Sequence, residues 1–209
     1  IRGSAALAPL GGIGEETGGY KGYGFTTLVE IFSAALAGGP DAPERALYHV
    51  RPGTGPGGTE PPGDWRSMFG GSAWERIDDR TPDGAPLTGP GTPRPCQWYL
   101  HVFAPEQPDL NWANAALRED IYRMMRWWLD KGVDGFRMDV ISLIAKPEPI
   151  PYSGETDLSP ACNHREKVHA YLREMNERVL SHYDILTVGE CPNVTVEEAK
   201  RYAGRGRHE

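Results

Sequence analysis

Cysteine is scarce in this sequence, and its arrangement excludes several kinds of site. The three cysteines, Cys96, Cys162 and Cys191, are odd in number and far apart, which argues against a disulfide framework and against paired zinc ligands. Such cysteine usage is typical of a reducing compartment, so we expect a cytoplasmic protein. His164 and His169 lie five residues apart, so a helix would not present both on one face. We therefore expect no metal and no cofactor.

The sequence also lacks long apolar runs and an excess of basic residues. It has no stretch of about 18 apolar residues and no basic segment followed by an apolar one at its start. We therefore expect neither a membrane span nor a signal peptide. Lys and Arg number 22 against 29 Asp and Glu, which gives a net charge of −7. That charge argues against nucleic acid and anionic membranes as partners, and it suits a neutral sugar.

Glycine and proline are abundant, and they are concentrated in the first half of the chain. Residues 1–27 match no regular element, because eight of the first 24 residues are glycine and such a composition disfavours packed strands and helices. From residue 38 to 95, glycine and proline make up 23 of 58 residues. That composition predicts loop or linker, with an extended surface loop at residues 78–95.

The second half of the chain has helical periodicity and capping signals. Asn114 is a predicted N-cap and Gly132 a predicted helix end. The expected buried stripe of this first helix consists of Leu117, Ile121, Met124 or Met125, and Trp128. A second helix is predicted over residues 165–181, with an apolar face formed by Val168, Leu172, Met175 and Val179. Thr195 and Glu198 have the spacing of a capping box and predict a third helix from about Val196.

Two carboxylates follow short segments that read as buried parallel strands. Asp139 is the last residue but one of the segment 132–140 and Glu190 ends the segment 184–190, with the second helix between them. A strand, a crossover helix and a strand place both carboxylates at one edge of a sheet. Arg137 lies two residues before Asp139, so both side chains project from one face, and a guanidinium there favours an ionised nucleophile. Taken singly, Asp139 could instead cap a helix and Glu190 could lie in a solvated loop.

Three short motifs resemble those of the α-amylase family (family 13 glycoside hydrolases). GFRMDV at 135–140 resembles the nucleophile motif, and TVGE at 187–190 resembles the general-acid motif. QPDLN at 107–111 resembles the motif of the oligo-1,6-glucosidase and α-glucosidase branch. The resemblance runs from about residue 69 to the C-terminus. It implies an α/β fold that is part of a (β/α)8 barrel, with an irregular domain inserted after the third strand at residues 28–112 and a partial catalytic barrel at 113–209.

The resemblance implies a role for each site residue. Asp139 would be the nucleophile and Glu190 the general acid/base of a retaining hydrolase acting on short α-glucosides. Arg137 would hold the nucleophile and contact the sugar. Val140 resembles the residue of members that prefer α-1,6 bonds, although strand packing alone also explains a valine there. The implied partner is a small oligosaccharide.

The sequence departs from the family pattern in two places, and other members of the branch remain as alternatives. It contains no His-Asp pair, which the family uses for its third catalytic carboxylate, and no Asn-His motif upstream of Ile31. We therefore expect this chain to be an incomplete and inactive fragment. Trehalose-phosphate hydrolase and sucrose isomerase are alternatives within the branch. A non-catalytic amylase-like protein, such as a transporter subunit, is an alternative of another class.

Overall fold

The computed structural model describes residues 46–77, 96–151 and 162–203, which form a mixed α/β region. Its strands are β1 (Val50–Pro52), β2 (Trp74–Arg76), β3 (Gln97–Leu100), β4 (Gly135–Met138) and β5 (Leu186–Gly189). Its α-helices are α1 (Ala115–Asp130), α2 (Glu166–Arg178) and α3 (Val196–Ala203), and short 3-10 helices occur at Pro56–Gly58, Ile141–Leu143 and Leu180–His182. None of the helices described is long and apolar enough to cross a bilayer. The expectations for residues 1–27 and 78–95 lie outside these ranges.

The strands β1, β3 and β2 form a three-stranded antiparallel sheet in that order. Two of its strands lie in the glycine- and proline-rich segment, so the prediction of loop or linker is wrong there. Trp65 and Trp74 explain the difference, because their side chains are only 1% and 2% exposed. Burial of such large apolar surfaces stabilises a segment whose backbone composition disfavours order.

Helix α1 begins and ends where the sequence predicted, but it buries a different stripe. The side chain of Asn114 accepts a hydrogen bond from the backbone N–H of Ala116 at 2.9 Å, and Gly132 follows the helix with φ of 93°. The buried residues of the helix are Leu117, Tyr122, Met125 and Leu129. The predicted stripe was therefore displaced by one residue in its second half. Periodicity alone did not distinguish these neighbouring faces, and the packing partners of the helix decide between them.

The second and third helices agree with the sequence patterns. All four residues of the predicted apolar face of α2, Val168, Leu172, Met175 and Val179, are buried. The helix itself is shorter than predicted, because the chain passes into the 3-10 helix Leu180–His182 after Arg178. The capping box before α3 is formed, with the N–H of Thr195 donating to Glu198 at 2.9 Å and the N–H of Glu198 donating to Thr195 at 3.2 Å.

Strand β4 precedes α2 in the chain and β5 follows it, and the two strands pair in parallel, as predicted. The prediction that both strands are buried is wrong. In β5, Leu186 is 74% exposed and Val188 54% exposed, and β4 has no fully buried residue, with Arg137 exposed. Gly135 and Arg137 are the register partners of Leu186 and Val188. Among the described residues no third strand joins this sheet, and the exposure of Leu186 and Val188 shows that no described residues cover the face that carries them.

Two core clusters connect residues before and after position 112. The first cluster contains Trp112 together with buried residues of α1 and α2. The second contains Trp65, Trp74 and Leu100 together with Leu143 and Ile150. Residues from both sides of position 112 therefore share each core, and the domain boundary at 112 stays a prediction.

A buried ion pair also connects the 107–111 motif to the segment that follows β4. Lys146 is 6% exposed, its Nζ is paired with Asp109 and it donates to the carbonyl of Leu143 at 2.7 Å. The other carboxylate oxygen of Asp109 accepts from the N–H of Val102 at 3.0 Å. Loss of one partner of such a pair leaves a buried charge unpaired and typically costs about 3–5 kcal/mol.

His49 lies beside this ion pair and generates a prediction of pH-dependent stability. Its Nε2 atom is buried without a hydrogen-bond partner within the described ranges, and burial lowers the pKa of His49 to about 4. The charged groups that face it are Asp109, Lys146, Glu148 and Arg51. Because an unfolded histidine binds its proton near pH 6.5 and folded His49 only near 4, stability is complete above pH 6.5 and is lost as the pH falls towards 4.

We expect His49→Leu to remove this loss, which amounts to about 3 kcal/mol at most. The measurement is the urea unfolding free energy of the wild type and the variant between pH 7 and pH 4. The exposed His182 offers a matched control, because His182→Leu should leave the wild-type pH dependence unchanged. Parallel pH curves for wild type and His49→Leu would contradict the prediction.

Gly135 generates a second prediction, because its backbone approaches β5 too closely for any side chain. Its φ is +153°, and a Cβ built there would lie 1.7 Å from the carbonyl oxygen of Leu186. Gly132 has φ of +93° with open space around it, so Gly132→Ala should cost only about 1 kcal/mol of backbone strain. Gly135→Ala should cost about 3 kcal/mol or more, because β4 and β5 must separate. Equal urea midpoints for the two variants would refute this contact.

Candidate active site

Asp139 and Glu190 are brought together at one end of the parallel pair. In the register, Met138 lies opposite Gly189, so each carboxylate is the first residue beyond its strand. The N–H of Glu190 also donates to the carbonyl of Met138 at 2.9 Å, which extends the pairing by one step. The predicted common edge is therefore confirmed, while the catalytic roles of the two residues stay predictions.

Arg137 links the two carboxylates through its guanidinium. One terminal nitrogen contacts Asp139, and the other donates to Oε2 of Glu190 at 2.5 Å. The sequence predicted the first contact from the alternation of a strand, but it did not predict the second. The hydrogen bond to Asp139, with the charges of both carboxylates, raises the pKa of Arg137. Arg137 thus carries a positive charge that offsets the repulsion between two neighbouring anions.

The three charged side chains of the site are open to solvent. The exposed fractions of Arg137, Asp139 and Glu190 are 58%, 70% and 44%. Water screens ion pairs at this exposure, so the contacts define geometry more than they contribute stability. They bring two anionic oxygens and one guanidinium to a common point, where a polar, uncharged ligand can accept and donate hydrogen bonds.

Val140 has a left-handed backbone, which is uncommon for a β-branched residue. Its φ and ψ are 38° and 41°, and it precedes the 3-10 helix Ile141–Leu143. The sequence analysis allowed strand packing as an alternative explanation for Val140, but the strand ends at Met138, two residues earlier. The turned backbone directs the N–H of Val140 towards Oε2 of Glu190, at 3.4 Å. Residues in such conformations are concentrated at functional sites.

An open cavity of about 180 Å³ lies next to these residues. Its lining joins the motif at 107–111 to the segment that follows β4. The lining residues are Val102, Phe103, Gln107, Pro108, Asp109, Leu110, Trp112, Asp139, Val140, Leu143, Ile144 and Lys146. Asp139 therefore lies at the wall of a pocket lined by apolar side chains and a few polar ones, as sites for small ligands commonly are.

Two features of the site were missed by the sequence analysis. The buried Lys146 pairs with the aspartate of the 107–111 motif, and a lysine that ends the apolar run 140–145 was the available signal. The ring of His164 contacts the segment after Glu190, and no spacing pattern indicates that. Across residues 46–77, 96–151 and 162–203, no group of three or more His, Cys, Asp or Glu side chains is arranged to hold a metal.

Comparisons with known proteins agree with this geometry. Residues 25–209 match the family described as "Alpha amylase, catalytic domain". The chain is 46% identical over 170 residues to an oligo-1,6-glucosidase of Bacillus cereus, covering 79% of this chain and 27% of that protein. It is 44% identical over 172 residues to an α-glucosidase of Pediococcus pentosaceus, covering 79% of this chain and 27% of that protein. The chain thus spans little more than a quarter of the length of these curated relatives.

Solved structures are similar over the same region. The structure resembles a trehalose-6-phosphate hydrolase of Bacillus licheniformis with a TM-score of 0.72 at 36% identity, covering 86% of this chain and 29% of the other. It resembles an isomaltulose synthase of Erwinia rhapontici with a TM-score of 0.71 at 36% identity, covering 86% and 29%. A family match over most of the chain, with two acidic residues at the ends of paired parallel strands, leads to one conclusion. The chain belongs to the α-amylase family of glycoside hydrolases.

Proposed function

We propose that this chain carries the nucleophile and the general acid/base of a retaining α-glucosidase. The observation that supports this most directly is the guanidinium of Arg137 shared by Asp139 and Glu190. Retaining glycosidases hold their two carboxyl groups about 5–5.5 Å apart, whereas inverting enzymes hold them about 6.5–9.5 Å apart. Carboxylates that contact two nitrogens of one guanidinium suit the closer arrangement.

Double displacement assigns a step to each residue. A carboxylate oxygen of Asp139 attacks the anomeric carbon and forms a covalent glucosyl ester while the glycosidic bond breaks. Glu190 takes up a proton from solvent before this step, gives it to the departing oxygen, and then takes a proton from the water that hydrolyses the ester. Arg137 holds Asp139 in place for the attack and, through its second nitrogen, keeps Glu190 within reach of the same bond.

The substrate that suits the site is a short neutral α-glucoside. The two carboxylates disfavour an anionic ligand, and the net charge of −7 disfavours anionic partners in general. The branched side chain of Val140 stands beside the nucleophile and narrows the cavity on the aglycone side. We propose a preference for α-1,6 bonds on this ground, supported by the likeness to oligo-1,6-glucosidases.

The parallel pair of β4 and β5 is proposed to be two neighbouring strands of a (β/α)8 barrel. Their ends would lie at the carboxyl edge of the barrel, where active sites of this architecture are built. The uncovered face that carries Leu186 and Val188 would then point into the barrel interior. The antiparallel sheet β1–β3–β2 would belong to the domain inserted after the third barrel strand.

A chimera tests the proposed activity. The 170-residue part of this chain that aligns with the Bacillus cereus oligo-1,6-glucosidase replaces the matching segment of that enzyme. Glucose release from isomaltose by the chimera is then measured. We expect the chimera to hydrolyse isomaltose, and Asp139→Asn or Glu190→Gln to lower kcat by about three orders of magnitude or more, because each removes a group required in the transition state. The 209-residue chain alone has no His-Asp pair, and we expect no measurable release from it.

The chimera carries its own control. Glu177 is an exposed carboxylate near the end of α2 that leads to the start of β5, whereas Asp139 and Glu190 follow the strand ends. Glu177→Gln should therefore leave kcat within about twofold of the parent. A folded chimera in which Asp139→Asn keeps the parental rate would contradict the assignment of the nucleophile. Isomaltose hydrolysis with inversion of configuration would contradict the retaining mechanism.

Val140 generates a separate prediction about linkage. In the chimera, Val140→Ala should raise the ratio of kcat/KM for maltose to that for isomaltose by about tenfold, because removal of two methyl groups widens the aglycone side of the pocket. Ile144→Val, which removes one methylene from another residue of the cavity wall, serves as a control for the loss of side-chain volume. The prediction fails if the two variants change the ratio equally.

A further inference from the structure

His164 contacts the two chain segments that follow the carboxylates. Its backbone N–H donates to the carbonyl of Ser142 at 3.2 Å, and Ser142 lies three residues after Asp139. Its ring nitrogen Nε2 lies 3.2 Å from the carbonyl oxygen of Pro192, two residues after Glu190. One residue therefore bonds to both segments beyond the strand ends.

The surroundings of the imidazole fix the role of one ring nitrogen. The carbonyl of Pro192 can only accept, so Nε2 carries a hydrogen and donates it. Nδ1 lies 2.9 Å from the hydroxyl of Tyr202, which orients the ring. The side chain of Asn163 donates to the same Pro192 carbonyl at 2.7 Å. Two donors on one carbonyl oxygen fix the path of the chain directly after Glu190.

The backbone of His164 is itself held in an uncommon conformation. Its φ is 50°, in the left-handed region that non-glycine residues seldom adopt. Such a conformation costs free energy and persists when the surrounding contacts favour it. Here it allows the N–H to point at Ser142 while the ring points at Pro192.

We propose that His164 is a positioning residue, which ties the segment after Asp139 to the segment after Glu190 and thereby sets the placement of the two carboxylates. The proposal rests on the proposed function only in naming those carboxylates as the catalytic pair. Glu190 follows an edge strand of the described sheet, so its main chain needs support from beyond the strand. A displacement of about 1 Å in such a pair can cost about 100-fold in rate.

Cys191 reports on this tie without any need for activity. It lies between Glu190 and Pro192 and is half-buried, and burial raises the pKa of its thiol. Alkylation requires the thiolate, so the reaction is slow while the segment is held and faster when it opens. Cys96 lies beside β3 in the antiparallel sheet and accepts and donates backbone bonds there, so it is an internal control for loosening elsewhere.

The experiment measures iodoacetamide alkylation of each cysteine in the folded 209-residue chain, by mass spectrometry of the peptides. His164→Gly removes the ring, and it introduces no backbone strain because glycine adopts the left-handed conformation readily. We expect Cys191 to react about tenfold faster than in wild type, which corresponds to the loss of roughly one hydrogen bond. The Cys96 rate should stay unchanged. His182→Ala removes a similar contact, from Nε2 to the Glu177 carbonyl at 3.0 Å, and should alter neither rate.

Two further variants keep the proposal open to refutation. His164→Asn tolerates the left-handed backbone but has a shorter side chain, so it too should accelerate Cys191. Tyr202→Phe keeps the ring of residue 202 and removes the hydroxyl that orients His164, so a smaller acceleration is expected. A Cys191 rate within twofold of wild type in both His164 variants would overturn the proposal. Equal acceleration at Cys96 and Cys191 would do so as well, since it indicates general loosening.

The chimera adds a readout that separates positioning from the proposed function. There, His164→Gly should lower kcat for isomaltose while KM changes less than about twofold, because the sugar contacts remain. The positioning role is refuted if His182→Ala changes kcat and the alkylation rate of Cys191 as much as His164→Gly does. If the parent chimera releases no glucose while Cys191 still responds to His164→Gly, the proposed function fails and the tie between the two segments is supported.

Discussion

The parallel pairing of β4 with β5 is the constraint on which the rest of the site depends. Because Met138 lies opposite Gly189, the next residue on each strand is a carboxylate, and the two share the guanidinium of Arg137. A shift of the register by one residue would turn one carboxylate to the opposite face. Gly135 permits the close approach to β5 that this register requires, so a residue without a side chain determines where two charged side chains meet.

Helices α1 and α2 are held together by charged as well as apolar contacts. Glu119 of α1 accepts from Arg126 at 3.0 Å and is also paired with Arg178 of α2. Arg118 of α1 pairs with Glu174 of α2 at 2.8 Å. These pairs are partly exposed and contribute modestly to stability, but they align the two helices over the first core cluster. The chain then passes from α2 through the 3-10 helix Leu180–His182 to β5.

Much of this arrangement could be predicted from local patterns. Caps and apolar periodicity are short-range signals, and they located the N-cap Asn114, the face of α2 and the capping box at Thr195. The common edge of Asp139 and Glu190 followed from the order of strand, helix and strand. These predictions succeeded because each depends on residues within a few positions of one another or on a rule of chain connection.

The failures concern contacts between distant residues. The stripe of α1 includes Tyr122 instead of Ile121, a choice that only the packing partners of the helix determine. Strands β1 and β2 of the antiparallel sheet were hidden by the glycine and proline around them. Nothing local indicates that His164 reaches Pro192, 28 residues away, or that Val140 adopts a left-handed backbone. Long-range burial and strain are properties of the folded chain, and sequence patterns carry them weakly.

Covalent trapping tests the central claim, that Asp139 is the nucleophile of a pair completed by Glu190, most directly. The chimera is incubated with a fluorinated α-glucosyl fluoride that forms the glucosyl ester quickly and hydrolyses slowly, and the labelled peptide is identified by mass spectrometry. The account predicts one fluoroglucosyl group on Asp139 and none on the Asp139→Asn variant. A label on Glu190, or an active enzyme that accumulates no ester under these conditions, would contradict it.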